Sequence, residues 1–264
     1  MTTNPSHFAV LLKDENQLNW NIIASALSKI RGVPSLDTIN EAKQCWGILS
    51  ENVAYEDAVN YQRILREHGV EAVVTPMENL RAVSVPLILK TAEPTVDHLV
   101  LIGERGERSD LLWTDILVWG AAAISTTHVR KIIEKQGPSG AQKMLSVGIM
   151  LATGLPIKVG PKKKTIEKSI SDTNLSFILD IVQKGTYATF RLIADDFNFA
   201  FLKERMLHGA MPNFRLVLSD WASRAPQARQ SRGTRMLLSN QPLSNMGYES
   251  LAHLEKEIRW LKAI

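Results

Sequence analysis

The twelve residues GLPIKVGPKKKT, from Gly154 to Thr165, combine two glycines, a lysine run and a closing threonine. These are the residue types of a phosphate-gripping loop, in which glycines let backbone amides curl round a phosphate and a lysine follows directly. The spacing refuses that chemistry. Gly154 and Gly160 enclose five residues where the loop needs four, and Pro161 stands in the lysine position and removes an amide. Neither a G-x-G-x-x-G dinucleotide fingerprint nor a G-x-S-x-G nucleophile elbow is present in the chain. His7, His68, His98, His128, His208 and His253 are all far apart in sequence, so their spacing suggests no metal set. The pair Asp195-Asp196 falls at an expected helix start, where carboxylates favour the positive end of the helix dipole. Cys45 is the single cysteine and reads as a small core residue. No catalytic residue, cofactor or metal is therefore expected.

What remains is a basic, partly apolar stretch. Met144–Ile157 is uncharged and mostly apolar, bracketed by Lys143 and Lys158, with Lys162, Lys163 and Lys164 beyond. Its length suits a buried or an interfacial segment rather than a membrane span. One reading is a buried piece leaving into a solvated lysine turn. The other is a segment, 143–164, lying on an anionic membrane surface, where each nearby cation contributes about 1 kcal/mol. A later run, PQARQSRGTR, lacks periodicity and is expected to be exposed or mobile; it adds Arg229, Arg232 and Arg235 to these lysines as candidate contacts for an anion or a partner. Nucleic acid is disfavoured as that partner, because no ordered reading element is identifiable and aromatic content is an ordinary 6%.

Charge is uneven along the 264 residues, although the net charge is only +4. Residues 1–80 carry six basic against ten acidic groups, whereas Arg130 to Lys168 holds nine basic residues against Glu134 and Glu167. That asymmetry suits an anionic partner or a solvated loop, and lysine runs more often mean the latter. The start shows no signal-peptide pattern and no apolar run is long enough to span a bilayer, so a cytoplasmic protein is expected.

The elements that must position these residues are clearest near the start. FAVLLK reads as a strand, and Trp20, Ile23, Ala24, Leu27 and Ile30 recur at helical spacing before Gly32. Thr38-x-x-Glu41 reads as a capping box opening a short helix through Cys45. WGILSENV is a strand. A helix with Ala58, Tyr61, Ile64 and Leu65 inward ends before Gly69, and VEAVVT closes the series. The order is β-α-α-β-α-β.

Within 8–80, Leu36 ahead of Glu41-Ala42-Lys43, then Glu56-Asp57-Ala58, then His68-Gly69-Val70-Glu71-Ala72, resembles the C-terminal domain of the bacterial ribosomal stalk protein, of the ClpS-like fold. The resemblance implies that fold and, in general, docking of other proteins. From Val83 the texture turns to short β-prone runs: SVPLILKT, DHLVLIG, LLWTDILVWGAAAIST, LSFILDIVQ and ATFRLIA. Trp113, Asp115 and Ile116 in the third of these faintly resemble the pattern of bacterial pleckstrin-homology-like domains. Helices are expected over DDFNFAFLKERM and NFRLVLSDWASRA, the second with Phe214, Val217, Leu218 and Trp221 on one face. A final helix sets Leu251, Leu254, Ile258 and Leu261 in a stripe that suits packing on its own domain or self-association.

The sequence thus predicts an α+β chain in three parts: a module at 8–80, a strand-rich domain at 83–224 with a basic insertion near 130–170, and an Arg-rich connector with an amphipathic helix at 225–264. A non-enzymatic adaptor or assembly protein docking a protein partner is the expectation. Peripheral membrane binding through 143–164 is the alternative, and an enzyme with an interdomain site the weaker one.

Overall fold

The computed structural model describes residues 7–14, 19–135, 165–243 and 246–264, with backbone alone over 126–135 and 165–174. The chain is α+β. Residues 1–124 and 176–264 form one compact unit and 125–175 a second. The described part of the second is 125–135 and 165–175. Lys143, Lys158, Lys162, Lys163, Lys164 and the apolar run Met144–Ile157 lie outside the described residues.

The N-terminal part follows the expected order: β1 (Phe8–Leu12), α1 (Trp20–Arg31), α2 (Ser35–Gln44), β2 (Ile48–Val53), α3 (Tyr55–Glu67) and β3 (Ala72–Pro76). β1 is the centre of an antiparallel sheet ordered β2-β1-β3, with Ala9 to Leu12 fully buried. Such an unalternating apolar run is what a strand without a solvent face requires. The Asn19 side chain caps α1 by accepting from the Asn21 and Ile22 amides, and Gly32 ends it in the left-handed region. The capping-box expectation is corrected: α2 begins at Ser35, and Thr38 sits inside it. The Thr38 hydroxyl donates to the Ala24 carbonyl at 2.7 Å and the Ser35 carbonyl at 3.0 Å, tying α2 to α1 instead of capping.

The second sheet has seven strands ordered β10-β7-β8-β9-β4-β5-β6. They are β4 (Leu87–Pro94), β5 (His98–Gly103), β6 (Arg108–Leu112), β7 (Ile116–Lys135), β8 (Thr165–Gln183), β9 (Thr189–Ile193) and β10 (Arg229–Gln230). β4, β5 and β6 form an antiparallel meander, and β4 joins β9 in parallel. The expected single strand LLWTDILVWGAAAIST is broken by a 3-10 turn at Trp113–Asp115, which buries Trp113 and lets its indole donate to the Thr95 carbonyl. The expected helix DDFNFAFLKERM is a 3-10 segment over Ala200–Arg205 alone. Phe197 instead packs its ring on Phe199 at 5.0 Å, two residues away, a pair that a helix would point in different directions. α4 (Ala210–Arg224) buries Phe214, Val217, Leu218 and Trp221 as its spacing predicts.

The connector expected to be exposed or mobile is built into the sheet. β10 pairs with β7 in parallel, Arg229 opposite Val118 and Gln230 opposite Trp119. Beyond it, hydroxyls continue the ladder: the Ala121 amide donates to Ser231 Oγ at 3.1 Å and Thr234 Oγ1 at 2.9 Å, and Thr234 donates to the Trp119 carbonyl at 2.7 Å. Ser231 also caps α5 (Arg232–Leu238). Buried backbone groups must find partners, and here side chains supply them.

The last helix, α6 (Leu251–Ala263), joins the two sheets. Its stripe packs on its own chain: Leu254, Ile258 and Leu261 are fully buried and Leu251 partly so. The Trp260 indole donates to the Leu12 carbonyl at 2.7 Å, Arg259 pairs with Glu51 at 2.7 Å, and Lys256 donates to the Gln44 carbonyl at 3.1 Å. On the other sheet, Arg191 of β9 forks onto Asp180 directly across on β8, both bonds 2.7 Å, and reaches Glu255 of α6 at 3.1 Å.

Candidate binding cleft

Where α1, α2 and the α5–α6 region meet, a cleft of about 340 Å³ opens. Its aromatic wall depends on a tight turn. Trp46 and Gly47 follow α2 with φ of 49° and 83°, two successive left-handed residues that swing the chain into β2. The Trp46 ring lands on Tyr248, stacked at 4.6 Å and 14°. The Arg232 guanidinium then lies 5.2 Å from the Trp20 ring centre and 6.0 Å from that of Trp46, cation–π geometry with two indoles. Asn40, Lys43 and Gln44 of α2 and Glu249 supply its polar lining.

A buried network fixes this wall from behind. Tyr248 Oη donates to the Glu257 carboxylate and accepts from the Gly233 amide at 3.1 Å. The Arg232 amide donates to the other Glu257 oxygen at 2.7 Å. Burial, with the Glu257 charge beside it, pushes the Tyr248 hydroxyl well above its ordinary value. Burial likewise pushes the Glu257 carboxyl above 4.5, against the pull of its Tyr248 and Arg232 hydrogen bonds. The Trp46 indole N–H is buried without an acceptor among the described residues.

Glu257 gives the cleft a pH signature. A carboxyl whose folded pKa exceeds its unfolded value binds its proton more tightly in the folded state, so its contribution is complete below the unfolded pKa and fades as pH rises through the folded one. The Glu257 contribution to the unfolding free energy, measured by urea titration, is expected to fall as pH is raised above about 4.5. Glu257→Gln, which keeps an acceptor for the Arg232 amide, should flatten that decline; an unchanged slope in the variant would assign it elsewhere.

The arrangement can bind, with two cations, two amides and two indole faces in one concave space. Cys45, next to Trp46, adds no nucleophile, since burial pushes its thiol up to about 11 and keeps it protonated at neutral pH. A neighbouring cleft of about 510 Å³ contains Arg31, Glu41, Glu51 and Lys256, where Arg31 pairs with Glu41 and Glu51 with Arg259. No group of three potential metal ligands occurs among the described residues, and no helix there is long and apolar enough to cross a membrane.

Of the three arginines expected to contact an anion or partner, Arg232 lines the cleft. Arg229 donates inward to the Leu261 carbonyl and Arg235 to the Gln230 carbonyl, both at 2.6 Å. Trp113 in the 3-10 turn and Trp119 in β7 are both buried. Trp46, Tyr248 and Glu257 carried no sequence signal, because they come from separate segments and share no spacing. Compared with protein-family models, curated proteins and solved structures, the chain matches none.

Proposed function

We propose that the chain is a non-enzymatic adaptor that docks a partner polypeptide along α2 and into the Trp20–Trp46–Arg232 cleft. One observation carries this reading: Leu36 is 78% exposed and begins a stripe that continues through Asn40 to Lys43 and Gln44 in the cleft lining. Residues spaced by three or four share a helix face, and the seven helical steps from Leu36 to Lys43 span about 10 Å. An apolar anchor beside an aromatic and cationic pocket is the composition of binding hot spots, where aromatics and arginine dominate. Arg232 and Lys43 favour a carboxylate-bearing segment in that pocket.

The test uses surface residues whose replacement leaves the core intact. Leu36→Asp with Lys43→Glu should keep the circular dichroism and melting temperature of the wild type. Partners recovered by quantitative affinity purification with the wild type should drop about tenfold or more with the variant, as expected for losing a hot-spot anchor. An identical partner profile from both proteins would remove this reading.

A further inference from the structure

A second, smaller cleft lies at the C-terminal end of α6, beside the turn between β8 and β9. It holds about 230 Å³ and is lined by Asn79, Arg81, Tyr187, Lys262 and Ala263. Tyr187 adopts φ 55°, a left-handed conformation uncommon for a bulky residue. The turn is pinned there by the Tyr187 amide, which donates to the Gln183 carbonyl at 3.1 Å, and by Ser84 Oγ, which donates to the Tyr187 carbonyl at 3.1 Å. Backbone held in such a conformation marks functional positions more often than chance.

Two cations converge on that ring. Lys262 Nζ is 5.1 Å and the Arg81 guanidinium carbon 5.8 Å from its centre. Lys262 is held by the Ala82 carbonyl at 3.0 Å and the Arg81 carbonyl at 3.5 Å, neutral acceptors that leave its charge uncompensated. The cleft lining contains no carboxylate. Burial, followed by the Arg259 and Arg81 charges, depresses the Lys262 ammonium below its ordinary value, so this spot already resists its positive charge. Like charges brought together on a partly desolvated surface, with no acid opposite, are stabilised by an anion that fills the space between them.

We propose that the Arg81–Lys262 cleft is a binding site for a small phosphate-type dianion, held between the two cations. A guanidinium fork and an ammonium point charge suit a phosphate's several acceptor oxygens, and a volume below that of most drug-sized pockets suits a small group. The site is independent of the docking reading.

Isothermal titration with inorganic phosphate, at ionic strength held constant with sodium chloride, tests it on the full chain. The wild type should bind saturably. Arg81→Gln and Lys262→Gln should each weaken binding about tenfold or more, the loss expected for one charge-assisted hydrogen bond. Lys262→Arg should retain binding within a few-fold, and Leu36→Asp should leave it unchanged. Arg81 is exposed, so Arg81→Gln reports even if a Lys262 variant misfolds. Co-sedimentation with phosphatidic acid vesicles distinguishes the sources: loss with Arg81→Gln assigns a lipid headgroup, whereas phosphate binding without sedimentation assigns a soluble phosphate. Equal phosphate binding by wild type and Arg81→Gln/Lys262→Gln overturns the proposal. So does wild-type protein that binds neither phosphate nor, through Arg81, the vesicles.

Discussion

Gly47→Ala should destabilise the chain by roughly 3–5 kcal/mol, combining severe overpacking with left-handed strain. A Cβ at this position would sit 1.9 Å from the Trp260 ring, with two further ring atoms at 2.3 Å. The ring cannot retreat: it is fully buried, and its N–H is committed to the Leu12 carbonyl at 2.7 Å. At φ 83° even an uncrowded alanine would be strained. Urea unfolding followed by tryptophan fluorescence measures the loss. A variant within 1 kcal/mol of wild type would mean that α6 does not seat on this turn. Gly233 makes a similar demand against backbone, since its Cβ would fall 2.0 Å from the Ala121 carbonyl oxygen.

Arg191→Met should cost about 3–5 kcal/mol, the range for removing one partner of a buried ion pair. The variant leaves Asp180 fully buried with its guanidinium gone and α6 without its link through Glu255. Burial already pushes the Asp180 carboxyl upward against the pull of Arg191; without the arginine only the upward push remains. A raised carboxyl favours the folded state at low pH and loses that advantage as pH rises, so the variant's deficit should shrink on acidification. Asp180→Leu combined with Arg191→Met removes both charges and should recover most of the loss, because apolar replacements of a buried pair are often neutral. If the double variant is no better than Arg191→Met alone, the deficit comes from packing instead.

The parts of this fold legible in sequence are those governed by local rules. Ile23, Ala24 and Leu27 on α1, Ala58, Ile64 and Leu65 on α3, and the four apolar residues on α4 lie buried where helical spacing puts them. Gly32 and Gly69 take positive φ beyond α1 and α3 as helix stops require. The connector's order is illegible in sequence for a physical reason. Its order comes from Ser231 and Thr234 hydroxyls substituting for strand amides on β7, more than 100 residues away, and periodicity cannot encode a side chain acting as backbone. The cleft escaped for a related reason. Trp20 and Trp46 read as core or strand residues, and Arg232 as part of a mobile basic run, until the fold stacked them. Thr38 shows the same limit within one helix, where a capping motif was spent on a tie to α1.

The Trp260–Leu12 hydrogen bond closes a separation of 248 residues. On the ribosome, β1 is made well ahead of α6 and waits for it while the residues between them are synthesised. Through that interval the floor beneath Gly47 and the Glu51 side chain have no cover, and the first sheet is a nascent structure with an open flank. Loop closure over such a distance is slow compared with forming local helices. The aromatic cleft, which needs Tyr248 and Arg232 in place, is consequently assembled after the α2 surface, so a chain made only as far as α4 has that surface but not the pocket beside it.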